Sequence, residues 1–139
     1  MGTIYLKRNE KEHAIVNRTD NTVICNLLVI RSPDIHRAVD FYKSMGMNFV
    51  LHSHGKGPEH YAAELPGFVF EIYPETKDSV PTTGTRIGFC VTELDGVVKS
   101  LSEVGGQIVS AAKQSPWGRR AVVRDLDGHT IELLDVCSD

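Results

Sequence analysis

The chain has 139 residues, of which 41% are apolar and 24% charged, with 12 glycines and 6 prolines. That is the length of one ordinary domain, long enough to bury a core without disulfides or metal, and the composition excludes a disordered, collagen-like or coiled-coil chain. The net charge of −3, from 15 Lys and Arg against 18 Asp and Glu, argues against a nucleic-acid partner, which would call for a basic excess.

Residues 1–21 are polar and read as an N-terminal arm. The longest apolar stretch, residues 23–30, is far too short to cross a bilayer, and the first residues hold no signal-peptide core. The expectation is a soluble, cytoplasmic protein without a membrane partner. Cys25, Cys90 and Cys137 are odd in number and lack CxxC spacing, so they are expected to act as small buried hydrophobes.

Residues 22–31 are rich in β-branched side chains and predict a strand, closed by Ser32-Pro33. Ser32 is the expected N-cap of a helix in which Ile35, Ala38, Val39, Tyr42 and Met45 recur at helical spacing up to Gly46. Phe41 and Tyr42 are expected to pack that helix. Three strands follow, at 48–54, 60–65 and 68–73, separated by Gly-Pro turns. The second half does the same: a strand at 85–92, an apolar helical stripe from Leu94 to Val104, and strands at 107–112, 121–124 and 130–136.

The two halves align. At an offset of 59, Met45-Gly46-Met47 falls on Val104-Gly105-Gly106; farther on, at an offset of 61, Gly67-Phe68-Val69-Phe70-Glu71-Ile72 falls on Gly128-His129-Thr130-Ile131-Glu132-Leu133. The chain therefore reads as an α+β domain over 22–136 built from two βαβββ modules, 22–75 and 84–136, forming a curved, half-barrel mixed sheet.

Strand parity then selects a face. Phe68, Phe70 and Ile72 face the helices, which puts Glu71 and Tyr73 on the other side; Ile131 and Leu133 do the same for Glu132. Ile87, Phe89 and Val91 leave Arg86, Gly88 and Cys90 on that side, and the duplication places Leu27 where Arg86 sits. Leu27, Glu71, Arg86 and Glu132 are thus expected in one hollow. Two carboxylates in one cavity need a cation between them, either a divalent metal or Arg86.

The duplication, the Asp34…Phe41-Tyr42…Gly46 helix and the ending Trp117-Gly118-Arg119…Asp125-Leu126-Asp127-Gly128…Ile131-Glu132-Leu133 resemble the vicinal oxygen chelate superfamily. That superfamily holds glyoxalase I, extradiol dioxygenases, fosfomycin-resistance enzymes and bleomycin-resistance proteins. The resemblance spans about residues 22–136 and implies a hollow, half-barrel site, a homodimer and, in metal-dependent members, ligands of the order His, Glu or Gln, His, Glu. Glu71 and Glu132 match the acidic positions. Leu27 and Arg86 stand where the histidines would be, and Asp125-Leu126 replaces the usual Asp-Pro. An aliphatic chain cannot ligate a metal, and a guanidinium cannot be deprotonated to do so.

Other side chains have weaker patterns. His52 and His54 share a strand face two strands from Glu71, about 10 Å away, which suits a lining role better than a mononuclear site. His60 and His129, beside turns, are expected at the surface, and His36 on the exposed side of its helix without a partner. Trp117 is either an aromatic wall for a flat ligand, with an arginine beside it, or an interface or core anchor. Tyr61 and Tyr73 either line the hollow or pack the core. Gly55-Lys56-Gly57 has no phosphate-loop spacing.

Two readings of function stand. In one, the protein binds a small polar organic molecule through Leu27, Glu71, Tyr73, Arg86, Trp117 and Glu132, with no metal. In the alternative it is a lyase, isomerase or dioxygenase whose Zn, Ni, Mn or Fe rests on Glu71 and Glu132, with Glu132 as candidate catalytic base. A regulatory domain with a closed cavity is a third option.

Overall fold

A computed structural model describes residues 22–53 and 55–135. The arm at 1–21, His54, Cys137 and the end of the predicted last strand lie outside the described residues.

The first module runs β1 (Leu27–Ser32), α1 (Ile35–Lys43), β2 (Val50–His52), β3 (His60–Leu65) and β4 (Phe68–Pro74). The second runs β5 (Arg86–Val91), α2 (Leu94–Glu103), β6 (Gln107–Ser115), β7 (Gly118–Arg124) and β8 (Thr130–Asp135). Each module forms its own open four-stranded sheet, ordered β1-β4-β3-β2 and β5-β8-β7-β6. In both, the first strand pairs parallel with the last and the other pairings are antiparallel, so the sheets are mixed. The duplicated α+β architecture expected from the sequence is present, as two sheets rather than one continuous one.

The register carries the internal symmetry. Leu27 pairs with Val69 and Val29 with Glu71; at the equivalent places Arg86 pairs with Thr130 and Gly88 with Glu132. Helix α1 is capped by Asp34, whose carboxylate accepts from the Arg37 N–H, while Ser32 Oγ accepts from the Asp34 N–H. The cap is therefore two residues beyond the one expected. Both residues can cap; Asp34 has the extended backbone of a cap and takes the Arg37 N–H, while Ser32 binds the cap's own N–H. Gly46, with φ +103°, ends the turn after α1 in the left-handed region.

Ile30, Phe70 and Ile72 from the first sheet and Ile87, Ile131 and Leu133 from the second belong to one continuous core with α1 and α2. Tyr42 and Phe70 both lie against Phe89 of β5, with ring centroids 6.5 and 5.7 Å away. The modules are thus packed back to back through their helix-facing sides. Gly106 permits the close approach: a Cβ there would meet the Leu101 carbonyl oxygen at 2.8 Å and the Phe41 ring at 3.0 Å.

A buried polar knot ties the modules. Asp125 Oδ2 accepts from the Tyr42 hydroxyl at 2.5 Å and from His129 Nδ1 at 2.8 Å; Oδ1 accepts from the backbone N–H groups of Asp127 and His129. The far ring nitrogen of His129 meets Thr82 Oγ1 at 2.7 Å. Next to the knot, Asp127 takes the Ser32 hydroxyl and the Arg37 guanidinium, both at 2.6 Å. His129 is fully buried, which corrects the surface placement expected beside the Asp-Gly turn. His60 is buried too, beneath Tyr73. Cys25 and Cys90 are exposed thiols, not buried hydrophobes; Cys90 lies on the face that parity turns away from the core. His36 has a partner after all, the Tyr61 hydroxyl at 2.9 Å, and this contact holds Tyr61 on the α1 side of its sheet rather than in the hollow.

Burial opposes ionisation of Asp125, but the bonds from His129 and Tyr42 outweigh it and hold the carboxyl below its ordinary value; burial and the Asp125 charge push Tyr42 well up. A depressed folded value means that this stabilisation is complete above the ordinary aspartate range and fades as pH falls through the folded value. Tyr42→Phe, which removes one donor to a buried charge, is expected to cost about 1.5–3 kcal/mol at neutral pH in urea unfolding. The deficit should shrink in acid; a deficit that stays constant down to the acid transition would contradict the role given to Asp125.

Candidate functional site on the open face of the second sheet

Because the helix-facing sides are spent on the shared core, the other face of each sheet turns outward. On the second sheet that face is ordered in rows by the pairing: Lys113, Arg120, Leu134 and Cys90; then Val122, Glu132 and Gly88; then Arg124, Thr130 and Arg86. Among the described residues, four cations and one carboxylate share these rows.

Both oxygens of the carboxylate are engaged. Arg86 Nε donates to Glu132 Oε2, reaching diagonally along the strand from its own pairing partner Thr130. Arg120, from β7, places Nη2 at 2.9 Å and Nε at 3.2 Å from Oε1. The hydrogen bonds from Arg86 and then Arg120 draw the Glu132 carboxyl below its usual range, with partial burial opposing.

Beside this cluster lies a cup of about 210 Å³, lined by Gly88, Phe89, Cys90, Trp117, Arg120, Glu132, Leu133 and Leu134. β6 and β7 are longer at their hairpin end than their composition suggested, and Trp117 sits in the turn between them. It is 75% exposed and forms one wall of the cup, not part of the core. Gly88 gives the cup a bare floor: a Cβ there would touch nothing within 4 Å. A larger cleft, about 830 Å³, opens between the β5 edge, the turn after α1 and the β3–β4 hairpin, and among the described residues Glu64 is the one acidic or basic side chain that lines it.

The first sheet has a different outward face. Glu71 lies 4.0 Å from His60 Nε2. His60 stacks on Tyr73, with centroids 4.1 Å apart, and on His52 at 5.5 Å; the Arg31 guanidinium caps the Tyr73 ring at 5.6 Å. Leu27, half exposed, borders the same face. The structure therefore pairs Arg86 with Glu132, sets Trp117 on the cup beside Glu132, and puts Leu27, Glu71 and Tyr73 on the other sheet. Parity assigns each residue its face correctly; it cannot say that two sheets will stack by the opposite faces, and that stacking separates Glu71 from Glu132 within one chain. Arg120, one of the two arginines beside Trp117, is the contributor that sequence reading did not place with Glu132, although its position two residues before Val122, Glu132's pairing partner, puts it on the same face.

The donor set does not suit a metal. Glu132 has both oxygens on guanidinium groups, Leu27 and Arg86 are not ligands, and among the described residues no three His, Cys, Asp or Glu side chains cluster closely enough to hold an ion.

The family model of the Glyoxalase/Bleomycin resistance protein/Dioxygenase superfamily matches residues 24–133. The chain belongs to that superfamily. No curated protein matches it. Among solved structures it is similar to a hypothetical protein from S. aureus (20% identity, TM-score 0.66, covering 84% of this chain and 95% of that one). It is similar also to TnmS3, an antibiotic binding protein from Streptomyces sp. CB03234 (22%, 0.65, 84% and 98%), and to the oxidase ChaP-H2 (21%, 0.64, 82% and 94%). At these identities the likeness is one of fold.

Proposed function

We propose that this protein binds a small polar organic molecule in the cup on the second sheet and does so without a metal ion at Glu132. The observation that carries the reading is the pair of guanidinium groups on Glu132. Arg120 holds Oε1 and Arg86 holds Oε2, so a metal would compete with two cations for the carboxylate, while Trp117, Leu134 and the bare backbone at Gly88 leave apolar room beside them. Among proteins of similar fold, one is described as an antibiotic binding protein and another as an oxidase, so the residues must choose between the classes. Metal-dependent lyase, isomerase or dioxygenase chemistry would have to displace two arginines from one carboxylate and find further ligands. The binding reading asks for no rearrangement.

Elemental analysis of protein purified without chelator is expected to find Zn, Ni, Mn and Fe each far below one per chain. Near-stoichiometric metal that is lost in Glu132→Gln would overturn the reading.

We also propose that the protein works as a homodimer in which a second copy covers the cup. A cup of this volume is small and open for a ligand site. The first sheet offers a suitable lid: Leu27 and Val50 are exposed on its outward face, 49% and 60%, and Glu64 and Glu71 there outnumber Arg31. That face complements the basic second sheet in charge. Sedimentation at low salt should give a dimer whose dissociation constant rises with ionic strength; a monomer at tens of micromolar in low salt would contradict this.

A further inference from the structure

The arginine geometry carries the cup's chemistry further, on the footing that the cup is the binding site as proposed above. Glu132 holds Arg86 by Nε alone. Among the described residues, the two terminal nitrogens of Arg86 donate to no protein group, and the side chain is 55% exposed. A guanidinium fixed by its Nε edge presents its other edge, two parallel N–H donors, as a fork that matches a carboxylate and not a cation or a neutral amide. Arg120 adds to the same side of the balance. One guanidinium neutralises Glu132, and the second leaves an excess positive charge on a face that also carries Lys113 and Arg124. A cationic ligand would meet net repulsion here.

The opposite end of the cup has another character. Trp117 provides a flat wall, Leu134 and Cys90 line the cup with it, and Gly88, in the row of Glu132, leaves that part of the floor without a side chain. The row of Leu134 and Cys90 is two residues along the strands from the row of Glu132 and Gly88, roughly 7 Å, and Arg86 reaches back to Glu132 from the row after that. Arg86 does not itself line the cup but meets its rim through Glu132, so an acid whose aromatic ring stands on Trp117 reaches the fork by extending past the Glu132 row. We infer that the cup takes a planar aromatic carboxylic acid, its ring on Trp117 and its carboxylate on the outer fork of Arg86.

Trp117 is the only tryptophan, so its indole N–H resonance in a ¹⁵N-labelled sample reports the cup directly. Three probes of one shape separate the possibilities: 2-naphthoate, 2-naphthamide and 2-naphthylmethylammonium, each titrated into the full-length protein. The acid should move the Trp117 resonance saturably and bind at least about tenfold tighter than the amide, with the ammonium weakest. In Arg86→Gln the acid should fall to the affinity of the amide while the amide is unchanged, a result that general unfolding would not produce. Gly88→Leu, which adds bulk into open space, should weaken acid and amide alike. If amide or ammonium binds as tightly as the acid, the anionic class is wrong and the cup stands as a site. If none of the three moves the resonance, both the class and the cup are overturned.

Discussion

Asp125 is a carboxylate buried between the two modules, stable there because two side chains and two backbone amides donate to it, and that arrangement decides how the halves of the molecule meet. A buried charge without such partners would be prohibitively costly. With them it becomes directional: Tyr42 must come from α1 of one module, His129 and Asp127 from the last turn of the other. The knot holds the helix-facing sides together over Phe41, Phe70 and Phe89, and in doing so it assigns both remaining sheet faces to the outside.

Those two outward faces correspond in register but differ in chemistry. Position by position, Leu27 answers to Arg86, Val29 to Gly88 and Glu71 to Glu132. The first sheet surrounds its glutamate with histidine and stacked rings. The second surrounds its own with arginines and removes a side chain in the row beside it. Exchanging an aliphatic residue for arginine and a valine for glycine converts a mixed surface into a cationic cup with space in it. Such a cup recognises through charge-assisted hydrogen bonds and an aromatic wall, and the superfamily's fold supplies only the frame.

Much of this was legible in the residues. The offset between the Gly-x-x-φ-Glu-φ segments announces the duplication, and period-two alternation gives every β-strand residue of the site its correct face. The ion pair between Arg86 and Glu132 was legible as well, since both fall on the same face of neighbouring strands. What escaped is what alternation does not encode. Parity orders side chains about one strand but says nothing of how two sheets stack, so Glu71 and Glu132 could not be told apart in space. His129 looked exposed because it follows Asp-Gly, yet its ring is held in by Asp125 four residues back, a side-chain contact that only the folded turn creates. Ser32 and Asp34 are both competent caps, and composition alone does not choose between them.

The account rests on the claim that two guanidinium groups occupy Glu132. Following the Glu132 side-chain carboxyl carbon by ¹³C NMR through an acid titration tests it directly. The carboxyl is expected to titrate below the ordinary glutamate range and to move back toward it in Arg120→Gln. An ordinary or elevated midpoint, insensitive to Arg86 and Arg120 alike, would mean that the carboxylate stands free, and the cationic cup would have no basis.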